Sequence, residues 1–486
     1  MQRITPGHPQ PLHAVATTRA LEARLAVALP PHTLMQRAGL ATARLALALA
    51  PHARRFWIAC GPGNNGGDGL EAAMHLQQWG KQAQVTWLGT PEHAPTDALA
   101  SYQRAVAAGV QFLAHPPTAC DCCIDALLGI GTARAPEGRL ADWIGRINAL
   151  ATPVLAVDLP SGLDADTGSA PGLCVRASHT LSLLTLKPGL YTAYGRDYTG
   201  QVWFEPLDTR EAPAPQAWLA GAPVSGARPH ASHKGSYGDV AIFGGAPGMS
   251  GAALLAASAA LHHGAGRVFV ALLDGGSLAV DPTRPELMLR APDALQPAEL
   301  TVVAGCGGGQ AIAAQLPRLL STAPRLVLDA DALNAIAGDS QLATLLRARA
   351  ARQRQTVLTP HPLEAARLLG SSAARVQQDR LAAARSLAEQ SGCCVVLKGS
   401  GTVIAEPGET PVINPTGNAR LATAGTGDVL AGLIGARLAQ GEVAFDAATA
   451  AVWLHGQAAD LWPASQALTA GALARRCSME HNAEDL

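Results

Sequence analysis

The sequence has few of the residues that nucleic-acid and membrane binding require. Aromatic residues make up 4% of the 486 residues, so stacking platforms for single-stranded nucleic acid are not expected. Charged residues make up 15% and the net charge is −1, which disfavours a basic surface for duplexes or anionic membranes. The longest weakly polar stretch, residues 250–261, is too short to cross a bilayer. We therefore expect neither nucleic acid nor a membrane as a partner.

Cysteine and lysine are also scarce. The nine cysteines are odd in number and lack zinc spacing. The cluster CDCC at 120–123 begins an apolar run and is interpreted as packing rather than as a metal site. Since the N-terminus resembles no secretory signal, we expect a reducing cytoplasm. The chain has four lysines (Lys81, Lys187, Lys234 and Lys398), and codon bias explains this scarcity. A retained lysine is weakly favoured where a compact point charge is needed.

The length and the alternation of apolar strands with helices predict two α/β domains. At about 150 residues per domain, two or three domains are expected. A Pro-, Ala- and Gly-rich segment without periodicity interrupts the alternation, so we predict domains at 1–210 and 225–486 with a linker at 211–224. Each domain should hold a parallel sheet covered by helices. Predicted helices include 18–29, 33–49, 69–79, 140–150 and 251–263; predicted strands include 56–60, 84–88, 123–128, 153–158, 180–186, 239–243, 267–272, 300–304, 325–328, 356–358 and 393–397.

Polar residues in the first half follow or interrupt apolar strands. The loop GPGNNGGDG at 61–69 has glycines that admit a ligand close to the backbone, and it leads into a helix N-terminus suited to phosphate. The alternative is a plain turn with Asp68 as the helix cap. Asp125 stands alone in an apolar strand and needs a partner, such as a monovalent cation or an amide cluster. Asp158 ends another strand, where open α/β sheets bind ligands, unless it only begins the turn before Pro160.

The strongest motif of the second half is ATAGTGDVLAG at 422–432. Its glycines open a long apolar helix, and the amides of Gly425, Thr426 and Gly427 form an anion hole. Asp428 lies in the first helical turn, where a base could deprotonate an attacking hydroxyl; the alternative is an N-cap aspartate. Two further motifs, TPHPLE at 359–364 and LKGSGT at 397–402, follow apolar strands. The glycines and hydroxyls of LKGSGT suit a nucleotide's ribose or phosphate.

The first-half motifs together resemble the NAD(P)H-hydrate epimerase family over about residues 15–210. The resemblance rests on LMQRAG at 34–39, the glycine loop, the Asp125 strand with GIGT at 129–132, VDLPSGLDADTG at 157–168 and KPGL at 187–190. It implies a Rossmann-like three-layer αβα sandwich, a catalytic Asp158, and K⁺ bound by Asn65, Asp125 and Ser161. The implied substrate-binding residues are Asn64, Asn65, Gly66, Gly67, Asp68, Gly129, Ile130, Gly131, Thr132, Ala133, Arg134, Ala135, Asp158 and Lys187.

The second half resembles the ribokinase-like superfamily, and within it the nucleotide-dependent NAD(P)H-hydrate dehydratases, over about residues 225–475. The resemblance rests on KGSYGDV at 234–240, SGAA at 250–253, RPELM at 284–288, LDADALN at 328–334, TPHPLE, LKGSGT, NPTGN at 414–418 and the ATAGTGDVLAG motif. It departs at GCGGG, 305–309, where the family usually has Gly-Pro-Gly-Leu-Gly. It implies a ribokinase-like αβα domain, a catalytic Asp428, and Mg²⁺ with ADP as co-substrate. The implied hydrate-binding residues are Ala252, Gly307, His361 and Asp428, and the implied ADP- or AMP-binding residues are Lys398, Gly399, Ser400, Gly401, Thr402 and Gly427.

The resemblances imply a cytoplasmic bifunctional enzyme, an isomerase fused to a lyase, that repairs hydrated NADH and NADPH. We also expect a homo-oligomer. The alternative is a ribokinase-like small-molecule kinase fused to a nucleotide-binding domain without catalytic activity. The glycine loop of the second half alone is compatible with either reading.

Overall fold

The computed structural model describes residues 1–131, 134–209, 211, 213–224 and 228–476. The described chain divides into two compact units, one made of residues 1–5 and 10–217 and the other of residues 6–9 and 218–486, of which 228–476 are described without a break. Along the chain, the boundary between the two units falls between Ala217 and Trp218, within the segment predicted as a linker. In the described part of the chain, no helix is both long and apolar enough to cross a membrane.

The first unit is built on a mostly parallel sheet with helices on both faces. Its elements are β1 (Gln2–Arg3), β2 (Gln10–Leu12), α1 (Val15–Ala28), α2 (Thr33–Leu49), β3 (Arg55–Cys60), α3 (Asn64–Gln78), β4 (Gln82–Trp87), α4 (Thr96–Ala107), β5 (Gln111–Phe112), β6 (Cys122–Ala126), α5 (Arg139–Asn148), β7 (Val154–Val157), β8 (His179–Leu183), α6 (Gly195–Tyr198) and β9 (Gln201–Glu205). The strand order is β1-β9-β8-β7-β6-β3-β4-β5, with only β1 antiparallel to its neighbour.

Alternating strand residues bury the two faces of this sheet. Phe56 and Ile58 of β3 pack in a core with α1, α2 and α3, whereas Trp57 packs in a second core with Trp143 and Ile144 of α5. This is the three-layer αβα arrangement that continuous apolar strands predict. The strand order reverses between β3 and β6, so the loops after these strands diverge and leave a crevice at the carboxyl edge.

The second unit is also a three-layer α/β structure. Its elements are β10 (Ala217–Leu219), β11 (Asp239–Gly244), α7 (Ser250–His262), β12 (Arg267–Leu272), β13 (Met288–Leu289), β14 (Thr301–Ala304), α8 (Ile312–Thr322), β15 (Arg325–Leu328), α9 (Ala330–Gly338), α10 (Ser340–Ala350), β16 (Gln355–Leu358), α11 (Pro362–Leu368), α12 (Ala373–Gln378), α13 (Arg380–Ser391), β17 (Cys394–Leu397), β18 (Val403–Ala405), β19 (Val412–Ile413), α14 (Thr426–Ala439), α15 (Ala444–Asp460) and α16 (Ala470–Arg476). Its strand order is β13-β12-β11-β14-β15-β16-β17-β18-β19-β10, parallel from β13 to β17. Helices α7, α14 and α15 pack against one face through an Ala- and Val-rich core.

Two predicted elements differ from the structure for identifiable reasons. Helix α3 begins at Asn64, five residues before the predicted start, although glycine disfavours helices. Packing requires glycine in these extra residues, since a Cβ at Gly67 would lie 2.6 Å from the Met35 side chain and 2.9 Å from the Cα of Ala98. The second difference is β10, a strand inside the segment that composition predicts as unstructured. It pairs in parallel with β19, and its three residues are too few to show periodicity.

Candidate active sites

A cavity of about 670 Å³ opens at the carboxyl edge of the first sheet. The N-terminus of α3, the loop after β6 and the end of β7 all contribute to it, as expected at a point where the strand order reverses. The following predicted substrate-binding residues line it: Asn64, Asn65, Asp68, Gly129, Ile130, Gly131, Asp158 and Lys187. The fold thus gathers in one cavity polar residues that lie over 120 positions apart in sequence.

The other predicted residues of this site do not line the cavity or lie outside the described residues. Gly66 and Gly67 are buried inside α3, where a Cβ at Gly66 would lie 2.0 Å from the carbonyl oxygen of Gly61. Arg134 and Ala135 are exposed and do not belong to the cavity lining. Thr132 and Ala133 lie outside the described residues. Gly66 and Gly67 therefore shape the loop by permitting close backbone packing.

Asp158 and Lys187 form a buried ion pair on the cavity wall. Asp158 is 8% exposed and has a φ of +68°, a left-handed conformation that is uncommon for an aspartate. Lys187 is fully buried, and its Nζ donates to Asp158 Oδ1, to the carbonyl oxygen of Leu183 at 2.8 Å and to Ser182 Oγ at 3.3 Å. Asp158 Oδ1 also accepts from the Leu183 amide at 3.1 Å. Such a strained, charge-paired carboxylate facing a cavity is typical of a functional residue rather than of a simple turn.

Asp125 and Ser161 lie together beneath the cavity. Ser161 donates through its amide to Asp125 Oδ2 at 2.9 Å and through its hydroxyl to Oδ1 at 2.6 Å. Burial raises the pKa of Asp125 to about 6, against the effect of these bonds. In the described part of the chain, the buried amide of Asn65 has no hydrogen-bond partner for either its Oδ1 or its Nδ2. A free amide oxygen together with a carboxylate and a hydroxyl is a donor set that suits a monovalent cation.

Sequence reasoning missed the cavity wall formed by α1, α2 and α4. Arg19 and Glu22 of α1, His32 before α2, and Asp97 of α4 all line the cavity. Burial, reinforced by the Asp158 charge, raises the pKa of Glu22. The same two effects raise the pKa of Asp68 well above its usual range. No sequence signal marks the wall residues, because α1 resembles any half-buried helix.

In the second unit, Asp428 lies in the first turn of α14. Gly425 caps this helix in a left-handed conformation, with a φ of +89°. Free amides in that first turn make an anion site. Burial and the neighbouring Asp329 raise the pKa of Asp428 to about 6. The carboxyl is therefore mostly ionised at neutral pH, and its pKa lies close enough to that pH for it to act as a general base.

Three further side chains surround Asp428. Atoms of Cys306, Asp329 and Asp428 that could bind a metal lie within 4.8 Å of one another, and the Cys306 thiol hydrogen-bonds Asp428. Lys398 Nζ donates to Asp329 Oδ1 at 2.7 Å, and a Cβ at Gly427 would lie 3.4 Å from this Nζ. Burial tends to lower the pKa of Lys398, but the charges of Asp329 and Glu364 outweigh this effect and raise it. Lys398 thus places an ammonium beside the anion site of α14.

The remaining predicted residues of the second site lie on nearby loops. Gly307, at a φ of +57°, packs against Ala252, where an added Cβ would lie 2.9 Å from the alanine methyl. His361 caps α11 through Nδ1, and this capping is by itself a structural role for the residue. Its side chain is 46% exposed. In the LKGSGT motif Gly399 and Gly401 have positive φ, and Thr402 Oγ1 donates to the carbonyl oxygen of Gly399. Ser400 is exposed at the tip of this turn.

Sequence reasoning assigned no role to Asp329 or to Cys306. Asp329 follows β15 directly, so an aspartate at the end of an apolar strand was the available signal. Cys306 was noted only as a departure from the usual loop sequence. Burial and the neighbouring carboxylates raise the pKa of the Cys306 thiol well above its usual range, so it acts as a neutral hydrogen-bond donor.

Comparison with known proteins relates both units to one kind of enzyme. A family model described as NAD(P)H-hydrate dehydratase matches residues 240–480, and one described as YjeF-related protein N-terminus matches residues 31–189. A bifunctional NAD(P)H-hydrate repair enzyme of Escherichia coli is 36% identical over 90% of this chain and 87% of its own length. One of Moorella thermoacetica is 38% identical over 89% of this chain and 88% of its own.

The chain belongs to the bifunctional NAD(P)H-hydrate repair enzymes. The resemblance seen in each half of the sequence is thereby confirmed, as are the two-domain α/β fold class and the expected enzyme class. An ADP/ATP-dependent NAD(P)H-hydrate dehydratase from Bacillus subtilis, co-crystallised with ATP and Mg²⁺, is 32% identical over 52% of this chain and 91% of its own, with a TM-score of 0.45.

Proposed function

We propose that the two sites divide the repair of hydrated NADH and NADPH between them. The first unit interconverts the R and S hydrates, and the second dehydrates the S hydrate back to NADH or NADPH while ADP is split into AMP and phosphate. The observation that carries this proposal is the relationship to bifunctional repair enzymes over 90% of the chain. Asp158 and Lys187, which line a cavity, and Asp428, in the first turn of α14, support it.

For the second unit, the geometry favours phosphoryl transfer to the hydroxyl at ring carbon 6. Asp428 accepts the hydroxyl proton as the oxygen attacks the terminal phosphorus of ADP, and AMP leaves. The amides from Gly425 to Gly427 and the Lys398 ammonium stabilise the transferring phosphoryl group. The ring-nitrogen lone pair then expels phosphate, and loss of a ring proton restores the dihydropyridine. Hydroxide is a poor leaving group, which is why phosphorylation is needed.

For the first unit, Asp158 is proposed as the acid–base residue, oriented by Lys187. Proposed hydrate contacts are Asn64, Asn65, Gly66, Gly67, Asp68, the 129–135 loop and Lys187. A K⁺ ion would be held by Asn65, Asp125 and Ser161, and the unpartnered buried amide of Asn65 supports this. The ion would neutralise the buried Asp125 carboxylate and fix the loop after β6. An epimerase is useful because a dehydratase specific for one epimer leaves the other unrepaired.

Several finer assignments belong to the same proposal. ADP is proposed as the phosphoryl donor, in contact with Lys398, Gly399, Ser400, Gly401, Thr402 and Gly427, and the hydrate is proposed to contact Ala252, Gly307, His361 and Asp428. Mg²⁺ would accompany the phosphates, and the Asp329 carboxylate beside Asp428 fits an ion that takes one or two carboxylates besides phosphate and water. A cytoplasmic location is proposed. A homo-oligomer is proposed, to be checked by light scattering.

The test is recovery of reduced-nicotinamide absorbance from hydrate, with ADP, with ATP and without nucleotide. An R-enriched hydrate given to the wild type and to Asp158→Asn separates the two activities. The proposal expects fast full conversion by the wild type and conversion by the variant no faster than spontaneous epimerisation allows. A small-molecule kinase with an inert first unit would instead form a phosphate ester from an alcohol and regenerate no NADH or NADPH.

A further inference from the structure

Arg380, the first residue of α13, is buried beneath the 398–402 loop. Its side chain is 1% exposed, which is unusual for arginine. Among the described residues, Arg349 is the one other arginine that is as deeply buried. Neither belongs to the motifs that point to ligand binding. Burying a guanidinium is costly unless hydrogen bonds satisfy it. Its hydrogen-bond acceptors therefore show which part of the structure the arginine stabilises.

Two hydrogen bonds of Arg380 end on the root of the loop. Nη2 donates to the carbonyl oxygens of Leu397 at 3.0 Å and Lys398 at 3.2 Å, while Nη1 donates to Gln377 Oε1 at 2.6 Å. Leu397 is the last residue of β17, and Lys398 carries the ammonium beside Gly427. The guanidinium therefore fixes the peptide groups from which the Lys398 side chain and the turn both start.

Gly399 lies directly against this guanidinium. Its φ of +137° is a conformation that side chains rarely adopt, and a Cβ there would lie 2.9 Å from Arg380 Nη1. From another side, the Lys398 amide donates to the carbonyl oxygen of Pro360 at 2.9 Å. The loop root is thus held between Pro360 and Arg380, and glycine at 399 lets the planar group pack on the backbone.

We propose that Arg380 is a positioning residue that holds the 398–402 loop in the shape that binds the adenine nucleotide. The role rests on the proposed binding of ADP by that loop. A planar guanidinium bonds both carbonyl oxygens through one nitrogen while its other nitrogen bonds Gln377, and the compact ammonium of a lysine does not reproduce this geometry. Burial lowers the pKa of Arg380 to about 10, which leaves it a charged donor at neutral pH.

Arg349 provides a matched control. It is also 1% exposed, and burial lowers its pKa to about 10. It donates to the carbonyl oxygens of Leu320 at 2.9 Å and Ala323 at 2.8 Å and to Thr356 Oγ1 at 2.8 Å. Ala323 and Thr356 lie at the amino ends of β15 and β16, at the opposite edge of the sheet from the nucleotide loop.

The experiment compares Arg380→Lys and Arg349→Lys in the full chain. ADP binding is measured by calorimetry, KM for ADP and for S hydrate by turnover, and stability by urea unfolding. Both variants should lose stability. Arg380→Lys alone should bind ADP about tenfold more weakly, the effect of losing one hydrogen bond from a charged group, with KM for ADP raised and KM for hydrate unchanged.

Two results would overturn the inference: ADP affinity equal to that of the wild type in Arg380→Lys, or equal weakening in Arg349→Lys. Gly399→Ala serves if Arg380→Lys does not fold, since its methyl group would displace the guanidinium and should give the same ADP-specific loss. Unchanged ADP affinity in a folded Gly399→Ala would also count against the role of Arg380. A wild-type chain that binds no ADP would instead contradict the proposed function itself.

Discussion

Replacing Lys187 with methionine tests whether the Asp158–Lys187 pair is held as the structure indicates. Methionine keeps an unbranched side chain, one heavy atom shorter, and removes the charge and all donors. The Asp158 carboxylate, 8% exposed, would then keep the Leu183 amide as its described hydrogen-bond donor, and the Leu183 carbonyl and Ser182 hydroxyl would each lose a donor. Removing one partner of a buried ion pair costs about 3–5 kcal/mol because the other charge stays buried.

Native-state hydrogen exchange of the β7 and β8 amides measures this cost within the first unit. Asp158→Asn should destabilise as well, because it leaves a buried ammonium. The double variant removes both charges, so its loss should be smaller than the sum of the single losses by about 2 kcal/mol, within the range of coupled neighbours. Epimerase activity should be absent from all three variants, while dehydration of pure S hydrate should persist. Additive losses, or a stable and epimerase-active Lys187→Met, would refute the reasoning.

Further predictions concern the cation site and the second unit. Asp428→Asn should abolish most dehydration while ADP binding persists, which calorimetry checks; near-normal turnover would exclude a base role. Because burial raises the pKa of Asp428 to about 6 in the ligand-free protein and a base must be ionised, kcat/KM of the wild-type dehydratase should fall as the pH drops through about 6 and be flat above about 7; a pH profile without that limb would contradict it. Exchange of K⁺ for Li⁺ should slow epimerisation and leave dehydration unchanged, and Asp125→Asn should remove the difference between the two ions. Lys398→Arg should lower ADP-dependent turnover at least tenfold, because a guanidinium is too large beside Gly427; unchanged ADP dependence would show that the position tolerates either cation.

The four lysines show how well the scarcity of lysine predicts positions that need a compact positive charge. Lys187 Nζ is enclosed by Asp158, Ser182 and Leu183, and Lys398 Nζ lies beside Gly427, so the larger guanidinium of arginine fits neither place well. Lys234 is exposed, and nothing in the structure explains its retention. Lys81 donates to the carbonyl oxygen of Ala53 between a helix and a strand. The weak preference for lysine at point-charge sites therefore has a physical basis at two positions.

The sequence determined the elements of the fold and the loops that carry the sites. Apolar strands and helix periodicity are local properties, so β11, β12 and β15 were predicted to within one residue. Glycine loops and aspartates at strand ends also need no tertiary information, because parallel strands bring their carboxyl ends to one edge. For the same reason Asp158, the 61–69 loop and the Asp428 helix could be predicted as candidate sites from the sequence alone.

Only the tertiary structure decided which side chains meet. Lys187 reaches Asp158 across 29 positions and Lys398 reaches Asp329 across 69, and no local pattern encodes either pairing. The early start of α3 brings Gly66 and Gly67 tightly against Gly61 and Met35, and the short strand β10 exists because β19 lies beside it. Cys306 meets Asp428, and Arg380 lies under the 398–402 loop, through long-range packing. Burial then sets the pKa values of these groups, since it depends on every element that covers them rather than on the residues themselves.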